Sequence, residues 1–209
     1  MHPDPAFRID EAACRSLARR IAFAHIFVDA ATGRAVIHAP CVPDDDGHLT
    51  FHVSRRNRAL PLPDGAHAIA SFAAADGYVS PDWYASSGQV PTWNYVAAEA
   101  EGRIVALSSA DLVTQLDALS GEHEARLSSK PAWTRAKMPP GRFSAMLNGI
   151  AGYRLRVEAW RGTAKLSQNK PVGDVAGVIA GLRGTGRDDP ASLVEERRVG
   201  GRASPPFSA

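Results

Sequence analysis

Cysteine is scarce in this chain, two residues in 209. Cys14 and Cys41 fall in different expected elements and form no Cys-x-x-Cys pair. That excludes a disulfide-dense scaffold and reads as two reduced thiols of a cytoplasmic protein. Long apolar runs are missing too. The longest, Ile21 to Val28, contains His25 and is far short of the ~20 residues that cross a membrane. The opening Met-His-Pro-Asp-Pro has neither the basic nor the apolar stretch of a signal peptide. No membrane partner is expected. Charge of one sign is absent: 24 Lys and Arg against 22 Asp and Glu leave +2. Such a balance is a poor electrostatic footprint for nucleic acid, and no helix-turn-helix pattern is visible, so direct DNA contact is unsupported. There is no GxGxxG fingerprint, P-loop or Gly-x-Ser-x-Gly elbow. The seven histidines include no metal-ligand spacing, so no metal is expected. No catalytic residue declares itself.

What is present is an ordinary globular composition, 44% hydrophobic and 22% charged, which excludes wholesale disorder. The length suits one core. Asp10 is placed to cap a helix whose Cys14, Leu17, Ala18 and Ile21 recur at helical spacing. Strands are expected at Ile21 to Val28 and Ala35 to Val42, joined by a turn at Ala31-Thr32-Gly33. Asp44 to Gly47 is a second turn. Beyond it Leu49, Phe51 and Val53 alternate with His48, Thr50, His52 and Ser54, the period of a strand with one buried face. Further strands are expected at His67 to Phe72, at Asn94 to Leu107 and around Tyr153 to Val157. Tyr78 to Pro91 reads as a long ordered loop. Ser109 is placed to cap a helix with Leu112, Leu116 and Leu119 inward. A last helix begins near Pro171 or Asp174 and buries Val175, Val178, Ile179 and Leu182. The resulting fold class is mainly β with peripheral helices, a small closed barrel. Residues 1–184 form its domain. Residues 185–209 read as a peripheral tail with a short helix at Ser192 to Arg198.

Three segments carry enough chemistry to be sites. Ser54, Arg55, Arg56 and Asn57 follow a strand and precede Arg58. Guanidinium groups bind phosphate through charge-assisted, often bidentate bonds, although a solvated basic turn has the same composition. Tyr78-Val79-Ser80-Pro81-Asp82-Trp83-Tyr84 and Pro91-Thr92-Trp93-Asn94-Tyr95 concentrate large aromatics in a chain with few. They suit a wall for a planar ligand or a small core under a loop. Lys165-Leu166-Ser167-Gln168-Asn169-Lys170 offers the donors and acceptors of a polar heterocycle's partner, or a capped loop.

These segments, in this order and spacing, resemble the PaiB family of FMN-binding negative transcriptional regulators. Pro81, Trp83 and Tyr84 look like part of the family's Tyr-(Ile/Val)-Ser-Pro-x-Trp-Tyr segment, and residues 91–95 like its Pro-Thr-Trp-Asn-Tyr segment. Lys165 to Asn169, with Asp174 and Gly177, look like its C-terminal signature. Phe7, His52, Arg55, Asn57, Glu122, Glu124 and Gly149-Ile150-x-Gly152 are weaker matches. The likeness extends to about Gly184.

The resemblance implies a split β-barrel of the pyridoxamine-phosphate-oxidase type, paired as a homodimer with FMN at the subunit interface. It implies that Ser54, Arg55 and Arg56 receive the phosphate, with His52 and Asn57 beside them. Trp93 and Asn94 would border the flavin ring, and Lys165, Ser167 and Gln168 would meet its polar edge. Two alternatives stand beside the regulator: a flavin-dependent oxidoreductase of unknown substrate fed by a nicotinamide reductant, and a haem-binding split barrel. The chain departs from the family pattern. It has Glu99 where His is usual, Glu101 where an aromatic is usual, Arg58 for Pro and His2 for Tyr. An ionised carboxylate cannot donate a hydrogen bond as imidazole does. Glu99 therefore points to altered flavin chemistry or weaker flavin affinity, if that position faces the cofactor.

Overall fold

The computed structural model describes residues 2–127 and 129–199. Eight strands are β1 (Arg8–Ile9), β2 (Phe23–Ala30), β3 (Gly33–Pro43), β4 (Leu49–Ser54), β5 (His67–Ala73), β6 (Gly77–Val79), β7 (Thr92–Ala106) and β8 (Ile150–Lys165). Five helices accompany them: α1 (Glu11–Ile21), α2 (Ser109–Ala125), α3 (Arg142–Leu147), α4 (Val172–Gly184) and α5 (Asp188–Val199). The strands bond in the order β1-β8-β4-β3-β2-β5-β7-β6, and a further pairing of β7 with β8 closes six of them into a ring. The registered pairs β1–β8, β2–β3, β3–β4, β4–β8 and β6–β7 are all antiparallel. This is the mainly-β barrel with peripheral helices that the alternation implied.

Two compact units are distinguished by their internal contacts. The second contains Ala22–Ala70 and Ala100–Ala159. Here β2 alternates cleanly, with Ala24, Ile26 and Val28 buried and Phe23, His25 and Phe27 turned outward. On β4, Leu49, Phe51 and Val53 point into the core, and Phe51 stacks on Tyr153 with ring centroids 5.7 Å apart. Each such side chain contributes about 1.5–3 kcal/mol through burial. Thr50 is buried as well, so the outer face of β4 is covered over part of its length. The cover is α2, which Gly152 lets approach closely: a Cβ there would lie 2.9 Å from Leu112 Cδ1. Ser108, not Ser109, is the N-cap of α2, and its side chain accepts from the Asp111 amide. Leu112 is buried, while Leu116 and Leu119 are half-buried.

The first unit contains Met1–Ile21, Ser71–Glu99 and Trp160–Ala209. Asp10 caps α1 as expected, its carboxylate accepting from the Ala13 amide at 2.8 Å. The helix keeps Ile21, which the strand pattern had also claimed. Ala22, at φ 53, breaks the helix, and β2 starts one residue later. Cys14 and Leu17 pack with Val79, Val96, Val175, Val178 and Leu182.

The tail reading of 185–209 needs correction over its described part. Residues 188–199 are a full helix, α5, and Ala191, Leu193 and Val194 belong to the same buried cluster. The isolated sequence looked peripheral because its apolar residues are few among charges. They share one face that α4 covers. Residues 200–209 lie outside the described residues. No described helix is long and apolar enough to cross a membrane.

Candidate functional site

The ten expected site residues fall into two sets of five, one in each unit. In the second unit the end of β4 runs into a double turn. The Asn57 amide donates to the Ser54 carbonyl at 2.9 Å, and the Leu60 amide to the Asn57 carbonyl at 3.0 Å. Side chains brace both turns: Ser54 Oγ accepts from the Arg56 amide and Asn57 Oδ1 from the Ala59 amide. Such local bonds are why Ser and Asn suit turns. Arg55 is anchored twice, its amide donating to the Gly149 carbonyl and its Nε to the Asn148 carbonyl. Arg56 and Arg58 are exposed, and neither guanidinium meets a carboxylate among the described residues. The turn therefore presents two uncommitted cations on a rigid backbone.

His52, two residues earlier, is held differently. Its Nδ1 lies 3.1 Å from Gln115 Oε1 of α2, in the amide orientation assigned to Gln115. In that orientation Nδ1 carries the proton and Nε2 accepts, while the Gln115 amide nitrogen is buried with no partner among the described residues. Burial pushes the imidazole below its ordinary pKa, against the smaller opposing effect of the Gln115 bond, so the ring is neutral at pH 7. His52 lines a cavity of about 340 Å³ bounded by α2, α3 and the start of β8.

In the first unit the other five residues meet, but mostly one another. Asn94 and Ser167 are both buried, and Asn94 Nδ2 donates to Ser167 Oγ at 2.9 Å. Gln168 folds back on the chain. Its Oε1 accepts from the Leu166 amide, and its Nε2 donates to the carbonyls of Ala164 and Ala6. Its donors are thus committed within the protein. Lys165 donates to Thr92 Oγ1 and to the Trp93 carbonyl. Partial burial, and then the nearby Lys170, push its ammonium pKa down. Trp93 is half exposed, stands edge-on to Tyr78 at 5.9 Å and donates from Nε1 to Asp76. Trp83, by contrast, is packed beneath α4, where Gly177 and Gly181 leave room for it. Asp174 receives the Ser86 amide and hydroxyl at 2.9 and 2.6 Å, and these bonds hold its carboxyl below the usual range.

Sequence reasoning missed Gln115, the partner of His52. The signal was one polar residue on the face of α2 shared by Leu112, Leu116 and Leu119. It also missed the carbonyls of 148 and 149 that fix Arg55. At position 101, where the family pattern has an aromatic, Glu101 pairs with His67 Nε2 at 2.8 Å. Glu99 is half-buried. Both cysteines are free and buried, and no cluster of three or more metal-ligating side chains occurs among the described residues.

A family model described as "Putative FMN-binding domain" matches residues 1–159. The chain belongs to this family. The match ends before Lys165, so the C-terminal signature rests on resemblance alone. Protease synthase and sporulation protein PAI 2 of Bacillus subtilis (strain 168) is a distant relative of this family member. It is 29% identical over 141 residues, 67% of each chain. An uncharacterized protein of Emericella nidulans is 29% identical over 199 residues, 87% of this chain and 75% of its own. Among solved structures, a FAD and heme binding protein from Mycobacterium smegmatis superposes with a TM-score of 0.52. It is 21% identical and covers 75% of this chain and 71% of its own. A conserved hypothetical protein from Mycobacterium tuberculosis gives a TM-score of 0.55 at 10% identity, over 82% and 94% of the two chains. These likenesses establish the fold, the split barrel of FMN-binding proteins.

The basic turn fits a phosphate. Two arginines lack a carboxylate partner, and the backbone that carries them is pinned by the bonds of Arg55, Ser54 and Asn57. The first-unit set fits a ring edge less fully. Trp93, Lys165 and Gln168 keep exposed surface, but the donors of Gln168 are spent.

Proposed function

We propose that this family member is an FMN-binding homodimer of the PaiB type, in which the double turn of Ser54, Arg55, Arg56 and Asn57 receives the cofactor's phosphate. The single observation that supports it is the turn itself: Arg55 is tied to the 148 and 149 carbonyls, while Arg56 and Arg58 stand uncompensated. A phosphate there gains charge-assisted bonds without the protein first breaking an ion pair. Within the first unit, Trp93 and Lys165 are the exposed aromatic and the half-buried cation that the resemblance sets against a flavin ring, and Asn94 and Ser167, bonded to each other, hold that segment in place. FMN, when bound, supplies a two-electron acceptor. The residues' task is to bind and orient it.

The regulatory half of the reading rests on the relationship to PAI 2, whose name refers to protease synthesis and sporulation. A net charge of +2 favours control through cofactor occupancy over direct operator binding.

The test compares FMN with riboflavin, which lacks the phosphate, by quenching of flavin fluorescence. FMN is expected to bind more tightly by roughly tenfold, the worth of one charge-assisted bond. Arg56→Ala and Arg58→Ala should each bring FMN towards riboflavin. A colourless preparation in which FMN neither quenches nor raises the melting temperature defeats the proposal. Light scattering of the loaded protein should return twice the chain mass.

A further inference from the structure

The cavity beside His52 has no role in holding a phosphate. Its volume, about 340 Å³, lies in the range of small-molecule sites. Its walls are apolar and soft: Leu116 from α2, Trp133, Met138, and Phe143 and Met146 from α3. Aromatic and thioether walls of this kind favour flat rings. Charge inside is internally cancelled. Asp117 and Arg135 form an ion pair at 3.2 Å, and the Arg135 guanidinium lies over the Phe143 ring at 5.2 Å. A charged ligand would find no unpaired opposite charge among these lining groups. Besides the Ser120 hydroxyl on the α2 wall, one directional polar group lines the cavity, the neutral imidazole of His52. With Nδ1 committed to Gln115, it has Nε2 left as an acceptor.

We infer that this cavity is a binding site for a neutral one- or two-ring aromatic molecule bearing a single hydroxyl or N–H donor, which His52 Nε2 accepts. Flatness is selected by Trp133 and Phe143. Neutrality is selected by the closed Asp117–Arg135 pair. The donor is selected because a buried acceptor left without one costs binding energy. Gln115 is a positioning residue, since it fixes which imidazole nitrogen carries the proton. The inference does not rest on FMN: it uses none of the turn residues 54–58 proposed to receive the phosphate, and it takes His52, which the resemblance sets beside them, as the acceptor of this cavity instead.

The experiment is isothermal titration calorimetry of the full chain as purified, with 2-naphthol and with 2-methoxynaphthalene, which has the same ring system and no donor. One 2-naphthol per chain is expected, bound roughly tenfold more tightly than the ether. Ser120→Leu places a larger side chain on the cavity wall contributed by α2. It should abolish the heat while leaving the thermal unfolding curve in place. In His52→Phe the preference for the naphthol over the ether should vanish. Saturating FMN should leave the naphthol affinity unchanged. No heat with the wild type, equal affinities for the two probes, or an indifferent Ser120→Leu would each overturn the inference. Displacement by FMN would do so as well, by assigning the cavity to the flavin. Failure of FMN to bind would defeat the proposed cofactor and leave this site standing.

Discussion

Gly181 packs so closely on the Trp83 indole that one added carbon atom would overlap it. A Cβ at 181 would fall 2.2 Å from Trp83 Cδ2, and one at 177 would fall 1.9 Å from the Trp83 carbonyl oxygen. Helix α4 therefore rides on the tryptophan segment only because two of its positions carry no side chain. Gly181→Ala and Gly177→Ala should each lower stability by about 1–3 kcal/mol, the usual cost of overpacking. The second should cost more, because a backbone carbonyl cannot rotate away as an indole can. Urea denaturation followed by circular dichroism measures both.

The buried pair Asn94 and Ser167 should behave as one unit. Asn94→Ala leaves the Ser167 hydroxyl without its partner inside the first-unit core and should cost about 1–3 kcal/mol. In Ser167→Ala the loss should be similar, and the double variant should fall short of their sum. A double-mutant cycle in denaturant checks this. Additive losses would mean the two side chains act separately.

The thiols should be silent in the native protein. Burial, with Asp10 and Glu11 adding to it, pushes the Cys14 thiol up to about 12, and burial pushes Cys41 up as well. Since the thiolate is the reactive form, an aromatic disulfide reagent at pH 8 should titrate no thiol in the folded chain and both in guanidinium.

Acid should weaken the fold through His52. Its folded pKa lies below the ordinary 6.5 because the ring is buried. Between those two values the unfolded chain binds the extra proton, so stability falls as pH drops through about 6.5 and levels off below the folded pKa. In His52→Phe that part of the pH slope should disappear, whatever the variant's overall stability. Melting temperatures between pH 5 and 8 provide the readout.

Much of the barrel was legible because β4 and the Tyr153–Val157 part of β8 alternate in sequence, and period-2 alternation survives any change of partner strand. The helix of Cys14 and Leu17 was legible for the same reason, at period 3.6. Strand β2 was legible as an apolar run instead, since Phe23 and Phe27 face outward. Helix α5 was not. Ala191, Leu193 and Val194 become a face only against α4, and nothing local in Asp188–Val199 announces that neighbour. The candidate site was half legible. Ser54, Arg55, Arg56 and Asn57 sit in one turn, so their proximity is a local fact. Gln168 looked like a free donor because its partners at 6 and 164 are settled by tertiary structure. Gln115 lies 63 residues from His52 and entered no motif.

The ring of six strands has one more consequence, for how this protein can be approached by another. Among the described residues each of the six ring strands has a bonded neighbour on both sides, so an incoming chain finds an open row only where one strand outruns its neighbour, as β3 outruns β4. The terminal strands β1 and β6 are only two and three residues long, too short to template much. Recognition and self-association are therefore written mainly in side chains on faces and turns, where partner choice can change without disturbing the backbone ladder that carries the fold.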